Sequence, residues 1–71
     1  MKATYDKVAD AMYLRLKNGK VSRTRKFDNL LLVDMDKKGN ILGIEMLDVS
    51  SQVSKQSIAS AIRTGTIPVA V

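Results

Sequence analysis

The side chains of this chain that could do chemistry are carboxylates, hydroxyls and cations, because it contains no His and no Cys. That excludes imidazole and thiol catalysis, disulfides and thiolate zinc sites. Ser50, Ser51, Ser54, Ser57 and Ser60 have no imidazole to activate them, and Lys55 beside them forms no Ser–Lys motif. Asp6, Asp10, Asp34, Asp36 and Glu45 could supply an acid–base pair. Carboxylates beside β-turns more commonly serve as caps and turn formers. Asp34, Asp36, Gly39 and Glu45 also fit positions one, three, six and twelve of a calcium loop. Lys37 and Lys38 occupy positions four and five, where ammonium groups would repel the ion. The flanks alternate with period two, so the helices that such a loop needs are absent. We expect no catalytic residue, no metal and no cofactor.

The cations are unevenly spread. Arg15, Lys17, Lys20, Arg23, Arg25 and Lys26 fall in one stretch without an acid. Residues 28–48 carry Asp28, Asp34, Asp36, Glu45 and Asp48 against Lys37 and Lys38. The net charge of +5 is therefore local to the first stretch. Such a patch suits an acidic protein or a phosphate backbone. Aromatics for base stacking are few, Tyr5, Tyr13 and Phe27, and no RNP, KH, zinc-finger or helix-turn-helix pattern appears.

Short runs must position these groups. With 71 residues and 45% hydrophobic content, the chain suits one small domain with a thin core. Strands are predicted near 2–5, 11–16, 20–26, 29–36 and 41–48, punctuated by turn signals at Asp6–Asp10, Asn18-Gly19 and Lys37–Asn40. For the hairpin around Gly39, pairs summing to 77 set Met35 against Leu42, Val33 against Ile44 and Leu31 against Met46. One face is then wholly apolar. Asp34 faces Gly43 on the other, leaving room for a close contact or a bulge. Asn18-Gly19 predicts a tight hairpin pairing Leu16 with Val21 and placing Tyr13 opposite Thr24. Leu14 and Met12 then meet Arg23 and Arg25, which marks 21–26 as a peripheral strand.

The last third changes character. Ser50-Ser51 offers a helix N-cap, Ile58, Ala61 and Ile62 form a stripe, and Gly65 suits the C-terminal cap. The expected fold is α+β: an antiparallel meander of four to five strands over 2–49, one C-terminal helix over 50–64 packed on one face, and a tail over 65–71, an extended arm or an added strand. No apolar run is long enough to span a membrane, and no secretory signal is visible, so a cytoplasmic location is expected. Leu30, Leu32, Ile41 and Leu47 remain on the second sheet face. With the apolar tail, they predict a homodimer.

The stretch Tyr5-Asp6-Lys7-Val8-Ala9-Asp10-Ala11-Met12-Tyr13-Leu14-Arg15-Leu16 reads YD-x-x-AD-x-x-Y-x-R-L. Val33 to Leu47 contains D-x-D-x-x-G-x-x-x-G-I-E-x-L. Together these blocks resemble the small bacterial domain-of-unknown-function family numbered 2283, over about residues 2–49. The resemblance implies a short antiparallel sheet and no established activity. It also implies an antitoxin-like role beside small toxin-like partners. Members commonly carry acids where this chain has Arg23, Arg25 and Lys26. Structural roles account for the signature residues Tyr5, Asp6, Asp10, Tyr13, Asp34, Asp36, Gly39, Gly43 and Glu45. The expected function is a non-catalytic, self-associating module that binds a protein partner. The alternative is a nucleic-acid-binding or regulatory protein using the segment 15–26.

Overall fold

Alternating apolar residues give a strand one face to bury, and side-by-side pairing makes that face continuous. The computed structural model describes residues 2–67. These form β1 (Lys2–Asp6), β2 (Ala11–Arg15), β3 (Arg23–Asp28), β4 (Leu31–Met35) and β5 (Ile41–Met46), then a 3-10 turn at Val49–Ser51 and α1 (Lys55–Thr64). All strand pairs are antiparallel. The fold is α+β, with one C-terminal helix on one face of the sheet.

The strand order is β1-β2-β5-β4-β3, which corrects the simple meander. Asn18-Gly19 is not a hairpin turn, and neither residue takes the positive φ that a type I′ turn requires. Tyr13 pairs with Glu45 instead of Thr24, and Arg23 and Arg25 pair with Met35 and Val33 instead of with β2. The reason is charge and burial. A central strand is enclosed on both edges, and β5 brings Leu42, Ile44 and Met46 to that position. A strand carrying Arg23, Arg25 and Lys26 is better placed at an edge, where its charges stay in water. Residues 16–22 therefore cross the end of the sheet. Three strand spacings come to about 14 Å, well within the reach of seven residues.

Leu42 seats this crossover. The β4–β5 register holds Leu31 against Met46, Val33 against Ile44 and Asp34 against Gly43. It then shifts, so Met35 pairs with Ile41 and Leu42 is the extra residue. The Leu42 carbonyl accepts from the N–H groups of Leu16 (2.9 Å) and Lys17 (3.1 Å). A Cβ on Gly19 would lie 2.9 Å from Leu42 Cδ2, so glycine lets the crossover lie directly on that side chain.

The core joins Ala3, Met12, Val49 and Ala61, with Tyr5, Leu14, Met46, Val53, Ile58 and Ile67 packed around them. Helix α1 starts at Lys55, later than the serine pair suggests. Ser54 caps it by accepting from the Ser57 N–H (3.1 Å), and Gly65 closes it at φ 70°. Ile62 is 61% exposed, contrary to its place in the expected stripe. Helix α1 lies over the edge strand β1, so Ile58 and Ala61 reach the sheet while Ile62 overhangs it. Thr66 bridges to Lys2 beside β1. Residues 68–71 of the expected arm lie outside the described residues. Among the described residues, no helix is long and apolar enough to cross a membrane.

Met12→Ala removes a fully buried side chain and should cost about 2–5 kcal/mol in urea unfolding. Ile62→Ala should change stability by less than about 0.5 kcal/mol.

Candidate functional site

The face opposite α1 carries four of the nine signature residues, Tyr13, Asp34, Gly43 and Glu45, in two rows. Thr24, Asp34, Gly43, Arg15 and Lys2 run across all five strands. Lys26, Leu32, Glu45, Tyr13 and Thr4 form the next row. Tyr13 leaves its own row. Its ring crosses β5 at Gly43, and its hydroxyl donates to Asp34 Oδ2 at 2.9 Å. A Cβ on Gly43 would fall 2.1 Å from that hydroxyl, so only glycine leaves the path open. Asp34 Oδ1 accepts from the Thr24 hydroxyl, so one carboxylate links β2 to β3 across two intervening strands. The Arg15 guanidinium lies 5.4 Å from the centre of the Tyr13 ring, within cation–π range. Burial, then Asp34, push the Tyr13 phenol above its ordinary value.

A second tyrosine–aspartate pair ties the sheet to the chain that follows it. The Tyr5 hydroxyl donates to Asp10 Oδ1 at 2.6 Å. Asp10 also accepts from the Ser50 N–H (3.1 Å) and hydroxyl (2.7 Å), and its carbonyl accepts from the Val49 N–H. It stands at φ 52°, a conformation aspartate tolerates better than most residues. The Tyr5 and Ser50 hydrogen bonds hold the Asp10 carboxyl below its usual value, and the same bond to Asp10 raises Tyr5. Ser50 was not legible as this partner, since forty residues separate the two.

The calcium-like set does not converge. Asp34 is engaged by Tyr13 and Thr24, while Asp36 accepts from the Lys38 and Asn40 N–H groups and from Asn40 Nδ2, all at 2.9 Å. These bonds, Asn40's side chain foremost, lower the Asp36 carboxyl. Glu45 lies in the other row, opposite Leu32 and Tyr13. Gly39 supplies the turn at φ 85°, and Asp6 accepts from the Val8 and Ala9 N–H groups. Among the described residues, no group of three acids could hold a metal ion.

The basic stretch is divided. Lys17 and Lys20 from the crossover meet Lys37 and Lys38 from the β4–β5 turn around an open groove of about 630 Å³, with Ser22, Asp36 and Asn40 in its walls. Arg15 and Lys26 lie on the open face, while Arg23 and Arg25 share the side of Met35 and Val33. Along the sequence Lys37 and Lys38 belong to the acidic hairpin; only the path of the crossover brings them to the other lysines. Leu30 and Leu47 are joined by a backbone hydrogen bond and lie beside Leu32 at one end of the open face. Ile41 is at the opposite end of β5, apart from them.

The sequence matches the family model described as "Protein of unknown function (DUF2283)" over residues 2–50. The chain belongs to the DUF2283 family. No curated protein and no solved structure matches it. The DUF2283 match ends at Ser50, the hydroxyl that Asp10 holds, so α1 lies outside it.

Gly43→Ala should destabilise by about 1–3 kcal/mol through its clash with Tyr13. In a Tyr13→Ser background the same change should cost much less, a coupling that a double-mutant cycle measures. The pH profile has a determined sign. Asp10 and Asp36, lowered in the fold, contribute stability above about pH 4 that is lost as pH falls through their folded values. Tyr5 and Tyr13, raised in the fold, contribute stability below about pH 10 that is lost as pH rises through theirs. Urea midpoints should therefore fall at both extremes, and Asp10→Asn should flatten the acid side.

Proposed function

We propose that this DUF2283 chain is a non-catalytic interaction module that self-associates as a homodimer and binds a protein partner. One observation carries this reading: α1 packs on one side of the sheet, and among the described residues no element covers the other. Leu30, Leu32 and Leu47 lie together there, bordered by the polar rows. A second copy laid on that corner would bury the apolar edge that one small domain leaves wet. A carboxylate acting as general base needs a free lone pair aimed at a substrate. Asp10, Asp34 and Asp36 each accept two or more internal hydrogen bonds, which supports a structural role for them. The partner would be a small protein, in keeping with an antitoxin-like role, in the cytoplasm.

Light scattering across a dilution series should give twice 7.8 kDa at high micromolar concentration. Leu32→Asp with Leu47→Asp should return it to 7.8 kDa. A wild-type mass of 7.8 kDa at high concentration would refute the dimer.

The convergence of Lys17, Lys20, Lys37 and Lys38 favours a second reading, contact with a nucleic-acid backbone. Lys37→Glu with Lys38→Glu should then lower the salt needed to elute the protein from heparin. Unchanged retention would remove the groove from consideration.

A further inference from the structure

The two edges of the sheet are not alike. Along β1 the edge is partly occupied, since the Ala3 N–H donates to the Gly65 carbonyl at 2.8 Å and Lys2 bridges to Thr66. Along β3 all six residues are exposed, and β4 is the sole neighbour among the described strands. An edge strand presents unpaired N–H and C=O groups at alternate residues, a template for another strand. We propose that β3 accepts an acidic, extended segment of a different protein as a sixth strand, a mode that rests on the protein-partner reading above.

Charge selects the occupant. Arg23, Arg25 and Lys26 stand on this strand, and among the described residues none of them is held in an ion pair. A second copy of β3 laid antiparallel would set cations against cations, which disfavours self-pairing. Acids at those positions turn the same contacts into attractions. Paired residues share a face, so alternate acids of the incoming strand meet Arg23 and Arg25 on the α1 side. Residues between them meet Thr24 and Lys26 on the open side, where a further acid fits Lys26. The register shift between Lys26 and Asp28 ends the regular ladder. Phe27, in that shift, is 72% exposed and offers an apolar anchor at the end of the segment. A phosphate backbone could meet the cations but has no N–H row for the outward carbonyls of β3. Backbone pairing supplies affinity in this mode, and the alternating side chains supply selectivity.

The test uses the full chain and a fluorescent ten-residue peptide of alternating glutamate and valine. Anisotropy should show binding that weakens with salt and that a lysine–valine peptide does not share. Arg23→Glu with Arg25→Glu should weaken it by roughly tenfold or more. A glutamate–valine peptide N-methylated at alternate residues keeps its charge and loses half its donors. It should also bind roughly tenfold more weakly, with no dependence on how the variant folds. Equal binding of the methylated peptide, or no binding of the parent, would overturn the proposal. Tighter binding of an oligothymidylate of equal charge, lost in the same double variant, would overturn it in favour of nucleic acid. The variant's mass by light scattering separates this result from the dimer, which the open face and not β3 would hold.

Discussion

Arginine and lysine on a β-strand must reach water, and most of this architecture follows from that requirement. In a central strand Arg23 and Arg25, which share the side of Met35 and Val33, would lie within the apolar layer. Their strand takes the edge, and β5 takes the centre with Leu42, Ile44 and Met46. The chain must then travel from β2 to the far side of the sheet. The bulge at Leu42, the glycine above it and the two hydrogen bonds to its carbonyl hold that crossing in place. The lysine groove and the open basic edge both result from it.

Two tyrosine–aspartate contacts then stiffen a thin domain from opposite sides. Tyr13 and Asp34 act across strands on the face opposite α1. Tyr5 and Asp10 act at the other end, where the sheet hands the chain to the 3-10 turn before α1. Each aspartate also takes a hydroxyl from a third element, Thr24 or Ser50. These contacts give the aromatic and acidic signature residues structural work without requiring a ligand. The proposed contacts rest instead on the leucine corner, the lysine groove and the β3 edge.

Turn signals made the five strand segments legible, and period-two alternation showed which face four of them bury; β3 buries none of its six residues. The β4–β5 pairing was readable from Leu31 to Asp34 for the same reason, as a slip would have mixed the faces. It failed at Leu42, where a bulge answers to the crossover and not to the hairpin. The Asn18-Gly19 signal misled because a local turn preference is worth less than keeping two arginines out of the sheet interior. Ile62 misled because a helical stripe does not reveal how wide a surface lies beneath it. The need for glycine at position 43 was visible only as room opposite Asp34; the tyrosine that uses it comes from the strand on the other side.

The sequence by itself determined the class of fold, the strand segments, the peripheral character of 21–26 and the absence of thiol and imidazole chemistry. These depend on composition and on contacts between near neighbours. The tertiary structure decided which strands lie side by side, which hydroxyls reach which carboxylates, and which lysines share a groove. Those relations join residues distant along the chain, through a crossover whose path is set by the competition to bury leucine and expose arginine. No local pattern encodes the outcome of that competition.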